Sequence, residues 1–477
     1  MQRVTGLALL VAMLLAAGAS AQVWEVTGSL NSGRSYHGVV LLHDGRVLAA
    51  GGRTPTAQHT SSAELFDRRT GIWKATSSMN SPRLYISPVQ LLGTQSLVIG
   101  GATASESYVS TCELFDALTE TWTYTGSMTC RRNSAVPILL PNGEVLIVGG
   151  YGRCPLDGGT GDLAETELYN PQNGTWRLTG TMSAGRVGHT VTLLKDGTGV
   201  LVVGGRHESA EQTAELYNIT TGQWRLVATP TAPHTYHTAG LLHNGLVLVA
   251  AGVTGPPYDG RVELYNVTSN TWTITGLMPL NPEQYYSMEI LDDGRAIVIG
   301  GETILSVGFE SLPHVQVYNA TTGQWEYTAF LHVARATDLN SVKFPDGSVM
   351  IVGGLGNDSP DELASCEVYY TGTAPTRTAS ATASWTQSAT VTRTATASAT
   401  TSPTPSCFPC VTEDDDVPTD QKQVITAVVL IFAIVLAAAV AVFFIRRKQQ
   451  KKSANNDEAR PLLSSQADSV ATTVQTM

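Results

Sequence analysis

A segment of about 49 residues recurs seven times between residues 22 and 370, and this repetition constrains the fold more than any other feature. Each copy holds two apolar stretches, in most copies joined by an Asp-Gly or Asn-Gly turn. The second stretch ends in a glycine pair or its near relative, and these pairs begin at positions 51, 100, 149, 204, 251, 300 and 353. An acidic-apolar-aromatic segment such as ELFD or ELYN follows, and then, in six copies, a tryptophan. Because Asp-Gly and Asn-Gly turns close hairpins, each copy predicts four antiparallel strands.

Three features of each copy resemble kelch repeats: the doubled glycines after the second strand, the Tyr or Phe in the third, and the Trp in the fourth. A lone four-stranded sheet exposes both faces, so the copies must stack on one another, with aromatic pairs filling the wedge between neighbours. The resemblance implies an all-β fold, a seven-bladed kelch β-propeller over residues 22–370.

The tryptophans predict how the propeller closes. Six of them follow a third strand, whereas Trp24 precedes the first copy and no equivalent tryptophan follows Tyr369. We therefore expect the strand around Trp24 to complete the last blade, which joins the two ends of the propeller and leaves no open edge strand. The six are Trp73, Trp122, Trp176, Trp224, Trp272 and Trp325.

The two ends of the chain predict its topology. Residues 1–21 are predicted to be a signal peptide, because an apolar run follows Arg3 and small residues precede Gln22. Residues 424–445 carry no charge and, as a helix, would be about 33 Å long, enough to span a bilayer. Basic residues begin at 446, so residues 446–477 should form a cytoplasmic tail. A single-pass type I protein of the cell membrane is expected, with its propeller extracellular and one transmembrane helix.

Between the propeller and the predicted span, residues 371–423 are rich in Ser and Thr and have little to bury. They predict an O-glycosylated stalk, with an unglycosylated disordered linker as the alternative. In the tail, Glu458, Leu462 and Leu463 resemble an acidic dileucine sorting signal. That resemblance implies a clathrin adaptor as partner and cycling through endosomes or lysosomes, while a chance occurrence of so short a motif stays open.

A four-stranded meander separates two faces. The second-to-third loops and the links between blades lie on one face, called the top here, and the remaining turns lie on the bottom. Four glycosylation sequons fall in the third-to-fourth turns of consecutive blades, and a fifth falls in a second-to-third loop. We expect glycans to shield the bottom and leave the top free for a partner. The five are Asn173, Asn218, Asn266, Asn319 and Asn357.

The residue that opens each innermost strand should lie around the propeller axis, and we call it the ring position. It is Tyr36, Tyr85, Ser134, Tyr236, Tyr285 or Asp338, and in the fourth blade Gly188 or His189. Arginines stand two or three residues earlier, Arg132 among them. Phenols and guanidinium groups at one mouth would suit sugars, carboxylates or peptide side chains. Alternatively, the arginines bind neighbouring loops. The candidate ligand-binding residues are Arg34, Tyr36, His37, Arg83, Tyr85, Arg186, Tyr236, His237, Tyr285 and Arg335.

An adjacent Tyr and His, at Tyr36-His37 and Tyr236-His237, resemble the copper-binding region of galactose oxidase and related copper-radical oxidases. That family also needs a ring cysteine for a thioether bond to a second tyrosine, and a further histidine from a domain after the propeller. Both are missing here, since Cys130 lies four residues before Ser134 and the chain continues into the stalk. We therefore predict no metal, no cofactor and no catalytic residues, with a cell-surface copper-radical oxidase as the alternative.

Six cysteines in an exported chain invite pairing. Cys130 and Cys154 both belong to the top of the third blade and are predicted to form a disulfide bond. Cys112 and Cys366 occupy positions where other blades carry small residues, so we expect buried thiols. Two more flank Phe-Pro beside the predicted span, at 407 and 410, and their pairing stays open.

Charge excludes one class of partner. The net charge is −11 and only 14% of the residues are charged, so the chain lacks the basic face that nucleic acid requires. The leading hypothesis is an extracellular propeller that binds a protein or carbohydrate ligand in an adhesion, receptor or cargo-sorting role.

Overall fold

The structure is a computed structural model that describes residues 23–156, 159–206, 210–252, 260–279, 284–305, 308–336, 340–357 and 362–371. These residues all belong to the first of the two units into which the chain divides, Met1–Ser380 and Ala381–Met477. The predicted signal peptide, stalk from residue 372, membrane span and cytoplasmic tail lie outside the described residues, as do the sorting motif and Asp338. No helix in the described ranges is long and apolar enough to cross a membrane.

The described residues form 33 strands, in chain order. The chain begins with β1 (Val23–Val26), β2 (Gly38–Leu41), β3 (Val47–Ala50), β4 (Ala63–Asp67), β5 (Ile72–Ala75), β6 (Ser87–Gln90), β7 (Gln95–Ile99), β8 (Cys112–Asp116) and β9 (Thr121–Thr125). There follow β10 (Arg131–Asn133), β11 (Val136–Leu139), β12 (Val145–Val148), β13 (Tyr151–Arg153), β14 (Thr160–Asp162), β15 (Glu165–Asn170) and β16 (Thr175–Thr181). The next are β17 (Thr190–Leu193), β18 (Gly199–Val203), β19 (Ala214–Asn218), β20 (Gln223–Leu226), β21 (Thr238–Leu241), β22 (Val247–Ala250), β23 (Val262–Asn266) and β24 (Thr271–Thr275). The last are β25 (Ser287–Ile290), β26 (Ala296–Ile299), β27 (Glu302–Leu305), β28 (Gly308–Ser311), β29 (Val315–Asn319), β30 (Gln324–Tyr327), β31 (Asn340–Lys343), β32 (Val349–Val352) and β33 (Cys366–Tyr370).

Within the described ranges these strands build seven four-stranded antiparallel sheets, the blades. Blades 1 to 6 are β2–β5, β6–β9, β11-β12-β15-β16, β17–β20, β21–β24 and β25-β26-β29-β30, and blade 7 is β31-β32-β33-β1. Two smaller sheets, β10-β13-β14 and β27-β28, extend the top loops of blades 3 and 6. The predicted four-stranded repeat is confirmed.

Blade 7 is completed by the N-terminal strand. β1 pairs antiparallel with β33, and Trp24 stands opposite Tyr369. The innermost strand of each blade contacts the innermost strands of both neighbours, and the contact between β31 and β2 closes the circle. The closure predicted from Trp24 is confirmed.

The core lies between the blades. Seven apolar clusters each join two neighbouring blades. In each blade, the residues of the second strand that face these clusters are buried. In every blade the third-strand aromatic ring packs on the fourth-strand tryptophan, with ring centroids between 4.9 Å (Phe115–Trp122) and 5.4 Å (Tyr369–Trp24). Such pairs supply large buried areas with a preferred geometry, and their rings belong to the clusters between the blades.

The glycine pairs connect neighbouring blades. Gly101 donates its N–H to the carbonyl of Arg132 at 3.0 Å, and Gly354 donates to the carbonyl of Arg34 at 3.0 Å across the closure. A Cβ on Gly100 would lie 2.3 Å from the Arg132 carbonyl oxygen, and φ there is +57°. Glycine adopts that conformation without strain and has no Cβ to meet the carbonyl, which explains the doubled glycine in most copies. In blade 5, Ala251 takes this position at a φ of +62°.

Candidate functional site

Each described ring position has an unusual backbone. φ is positive at Tyr36 (53°), Tyr85 (55°), Ser134 (50°), Tyr236 (51°) and Tyr285 (62°), and at Gly188 (69°). Gly188 rather than His189 is therefore the ring residue of blade 4. A left-handed conformation is uncommon outside glycine, and for a bulky residue it costs on the order of 1–3 kcal/mol.

Hydrogen bonds between blades hold this conformation. Tyr85 donates its N–H to the carbonyl of Tyr36 at 3.0 Å, and Ser134 donates to Tyr85 at 3.3 Å. On the other side of the ring, Tyr236 donates to Gly188 at 2.8 Å. The chain thus turns sharply at each ring position and enters the innermost strand, which directs the residue toward the axis.

The ring residues line a cavity of about 740 Å³ on the top face, which we call the axial cavity. Four tyrosines form two pairs, with ring centroids 4.7 Å apart for Tyr36–Tyr85 and 5.1 Å apart for Tyr236–Tyr285. The wall is completed by residues that include Asn133, Tyr151, Arg206, Tyr286 and Asn340. Aromatic faces alternate with hydroxyl, amide and guanidinium groups, which is a combination suited to a polar ligand with some apolar surface.

The predicted arginines do not line this cavity, which corrects the expectation that guanidinium groups and phenols converge on one mouth. Each arginine is buried and paired with the third-strand glutamate of its own blade, at 2.7 to 3.0 Å. It also donates to the carbonyl of the first glycine of the pair. The alternative interpretation, that they bind neighbouring loops, is what the geometry supports. The pairs are Arg34–Glu64, Arg83–Glu113, Arg132–Glu167, Arg186–Glu215 and Arg335–Glu367.

These ion pairs are structural links. Burial lowers the pKa of Arg34, Arg132, Arg186 and Arg335, and the paired carboxylates partly offset that effect. In blade 5 a histidine takes the arginine's place, and His234 Nε2 lies 2.8 Å from Glu263. A buried charge of this kind is stable only while its partner stays in place.

Three histidines lie directly after ring positions, and their imidazoles are buried in the wall. Burial, with the nearby positive charge of Arg34 or Arg186, lowers the pKa of His37 and of His189 to about 3. The pKa of His237 is lowered well below its usual range by burial and by His234, and its Nε2 lies 2.8 Å from Thr190 Oγ1. All three are therefore neutral near pH 7.

The cysteines test the fit to a copper-radical centre. Cys130 forms a disulfide bond with Cys154, as predicted, so its sulfur is not available for a thioether bond. Cys112 and Cys366 are free but buried, and burial raises the pKa of their thiols to about 12 and about 11. In the described part of the chain, no three His, Cys, Asp or Glu side chains are grouped to hold a metal ion. The described cysteines therefore do not supply the thioether sulfur of that centre.

Four of the five sequons lie at bottom turns, at the opposite end of the strands from the axial cavity. Asn173 and Asn218 are exposed, and Asn266 and Asn319 are partly exposed. Asn357 differs, because it pairs with the backbone of Ser311. Its Oδ1 accepts from the Ser311 N–H at 2.6 Å and its Nδ2 donates to the Ser311 carbonyl at 2.8 Å.

Sequence patterns did not reveal the rest of the cavity wall. Tyr151 and Arg206 directly follow the glycine pairs of blades 3 and 4, where the chain returns to the top face. The position after each pair is therefore a second source of cavity residues. Asn133 and Asn340 carry no such signal.

Comparison with known proteins supports the fold. The family model of the Kelch motif matches residues 33–80, which is one of the seven repeats. No curated protein matches the chain. A solved structure of a fungal alcohol oxidase of the AA5 family, in complex with copper, is similar with a TM-score of 0.58 and 14% identity. The match covers 73% of this chain and 76% of that one. At this identity the likeness concerns the fold alone.

Proposed function

We propose that this chain is a single-pass type I membrane protein whose extracellular kelch propeller binds a carbohydrate or protein ligand in the axial cavity. The observation that carries this proposal is the set of four tyrosines held at positive φ around one opening. Backbone strain of this kind persists only where the surrounding structure enforces it, and it concentrates at binding and active sites.

The chemistry of the wall supports a polar ligand. Tyrosine faces stack on the C–H surfaces of sugars or on peptide side chains, and their hydroxyl groups exchange hydrogen bonds with the same ligand. Arg206, whose side chain is 52% exposed, adds a guanidinium group at the edge. Rigid aromatic anchors lose little conformational entropy on binding, which favours recognition over catalysis.

The remaining parts of the proposal follow from the sequence. Glycans on the four bottom sequons would leave the top face for the ligand, and a Ser/Thr-rich stalk would hold that face away from the membrane. The tail would bind a clathrin adaptor through Glu458, Leu462 and Leu463, so that ligand and receptor cycle together. Adhesion and cargo sorting are both roles of this kind.

A copper-radical oxidase is the second candidate, favoured by the two Tyr-His pairs. The cysteine chemistry argues against it, because Cys130 is bonded to Cys154. Elemental analysis of the full chain after copper loading separates the two candidates. Stoichiometric copper would favour the oxidase.

Binding itself is tested with the full chain on arrays of glycans and extracellular protein domains. Ligands of the axial cavity are retained by the wild type and lost in the double variant Tyr36→Ser/Tyr285→Ser. The matched control is Tyr124→Ser, since Tyr124 is 55% exposed on the outer strand of blade 2. A ligand that the double variant binds as tightly as the wild type does not use this cavity, and finding only such ligands would refute the proposal.

A further inference from the structure

A second cavity, of about 710 Å³, lies beside the axial cavity on the top of blades 2 and 3, and we call it the rim cavity. On one side is the second-to-third loop of blade 2, and on the other is the small sheet β10-β13-β14 of blade 3. It is lined by Glu106, Ser107, Tyr108, Thr129, Arg131, Arg153 and Pro155.

Two of these residues form an unfavourable pair. Arg131 on β10 and Arg153 on β13 stand directly opposite each other in an antiparallel ladder, so their side chains leave the same face of the sheet. Like charges in this relation destabilise a sheet. Arg131 is bound to Glu106 at 2.9 Å, whereas the side chain of the exposed Arg153 makes no hydrogen bond or ion pair with a described residue.

A covalent link holds the two strands together in spite of this repulsion. Cys130 directly precedes Arg131 and Cys154 directly follows Arg153, and the two cysteines are bonded to each other. The disulfide therefore closes the ladder at the position next to the arginine pair. A sheet of three short strands would otherwise have little to keep two guanidinium groups side by side.

The loop on the other side is also fixed. Asn133 Nδ2 donates to the Ser107 carbonyl at 2.7 Å, and the hydroxyl groups of Tyr108 and Thr160 lie 3.0 Å apart. The ring of Tyr108 meets Tyr151 edge-on at 6.2 Å between centroids. The cavity is thus preformed, and preformed sites bind without the cost of ordering their walls.

We propose that the rim cavity binds an acidic sugar, with its carboxylate between Arg131 and Arg153. Two guanidinium groups and one carboxylate leave a single positive charge in excess, which suits a monoanion. The whole chain carries −11, which disfavours extended polyanions. Guanidinium forks bind carboxylates through paired hydrogen bonds, and the exposed side of Tyr108 offers a stacking surface.

The other wall residues favour a sugar over a peptide. Ser107, Tyr108 and Thr129 present hydroxyl groups, and Pro155 is the one lining residue with a wholly apolar side chain. A peptide would also bring apolar side chains, for which this cavity offers only Pro155, whereas a sugar ring carries hydroxyl groups on most carbons. The site would act independently of the tyrosine ring.

The test measures dissociation constants of the full chain in detergent by NMR titration with glucuronate, glucose, glucose 6-sulfate and N-acetylaspartate amide as probes. We expect glucuronate to bind more tightly than the other three. Arg153→Gln should weaken glucuronate binding about tenfold, the value of one charge-assisted hydrogen bond. The same variant should keep or raise the melting temperature, because the repulsion between the arginines is relieved.

Further variants make the test specific. Glu106→Gln should tighten glucuronate binding, since Arg131 loses its competing carboxylate. Cys130→Ser/Cys154→Ser should weaken it, and Tyr36→Ser/Tyr285→Ser should leave it unchanged. The proposal is overturned if any of the other three probes binds as well as glucuronate, or if Arg153→Gln has no effect. It is also overturned if the tyrosine variant alone abolishes binding, which would assign glucuronate to the axial cavity.

Discussion

The guanidinium group of Arg83 lies 2.8 Å from the carboxylate of Glu113, and neither side chain is exposed to solvent. Glu113 also accepts hydrogen bonds from the backbone N–H groups of Asn80 and Ser81. The pair therefore ties the link between blades 1 and 2 to the third strand of blade 2. Equivalent pairs in four other blades repeat this connection.

Breaking one such pair should destabilise the propeller strongly. Arg83→Met leaves Glu113 buried without its counter-charge, so we expect the free energy of unfolding to fall by about 3–5 kcal/mol. Denaturant unfolding of the full chain in detergent measures this loss. The control is Arg177→Met, whose partly exposed pair with Glu144 should be worth about 0–1 kcal/mol. Equal effects of the two substitutions would contradict a structural role for the buried pair.

Stability should fall on mild acidification because of the buried histidines. The unfolded chain binds a proton at His37 and His189 below about pH 6.5, while their folded pKa values are about 3. Between these limits the unfolded state holds more protons, so each histidine lowers the free energy of unfolding by about 1.4 kcal/mol per pH unit as the pH falls.

Replacing one of these histidines tests that slope. His189→Asn should reduce the pH dependence between pH 5 and 6 by about 1.4 kcal/mol per pH unit, the share of one proton. The difference should persist at high salt, because the group is buried and poorly screened. An unchanged slope would mean that His189 takes up its proton in the folded state as easily as in the unfolded one.

We expect the ring tyrosines to contribute less to folding stability than tyrosines in ordinary strands, because their backbone conformation is strained. Tyr85→Gly removes side-chain contacts but relieves a left-handed conformation, so we expect the free energy of unfolding to change by less than about 1 kcal/mol. Tyr124→Gly, in an ordinary outer strand, should lower it by about 1 kcal/mol or more. Thermal unfolding of both variants provides the comparison. A larger loss for Tyr85→Gly would argue that this tyrosine is there for packing.

The closure at blade 7 should depend on one side chain. Trp24 is buried against Tyr369, and Trp24→Ala should cost about 3–5 kcal/mol by leaving a cavity between blades 6 and 7. Val26→Ala on the same strand is the control, since Val26 is 52% exposed. Limited proteolysis at the N-terminus offers a second measure, with faster cleavage expected only in the Trp24 variant.

Much of the fold could be predicted from the sequence, because the same local pattern recurs in seven copies. Glycine pairs, hairpin turns and tryptophans each have a direct backbone or packing cause, and the unpaired Trp24 predicts the closure. The disulfide between Cys130 and Cys154 follows from placing both on the top of one blade.

The candidate site was predicted only in part. The ring tyrosines were predicted from their spacing along the chain. Spacing alone does not show on which side of the backbone a neighbouring side chain lies. Arg34 and Tyr36 are two residues apart, yet the positive φ at Tyr36 separates their directions. The glutamates that pair with the arginines could have been found from the sequence, because they are acidic residues within otherwise apolar strands. The rim cavity depends on two loops meeting from different blades, and no local pattern carries that information.

The central claim, that ligands enter the axial cavity from outside the cell, is tested most directly by photo-crosslinking on intact cells. A benzophenone amino acid is introduced at Ser134, a ring position where four other blades carry tyrosine, and at Thr221 in an exposed bottom turn as the control. We predict that irradiation of intact cells yields a ligand adduct from position 134 and none from position 221. Equal adducts from both positions, or adducts only from position 221, would contradict the account.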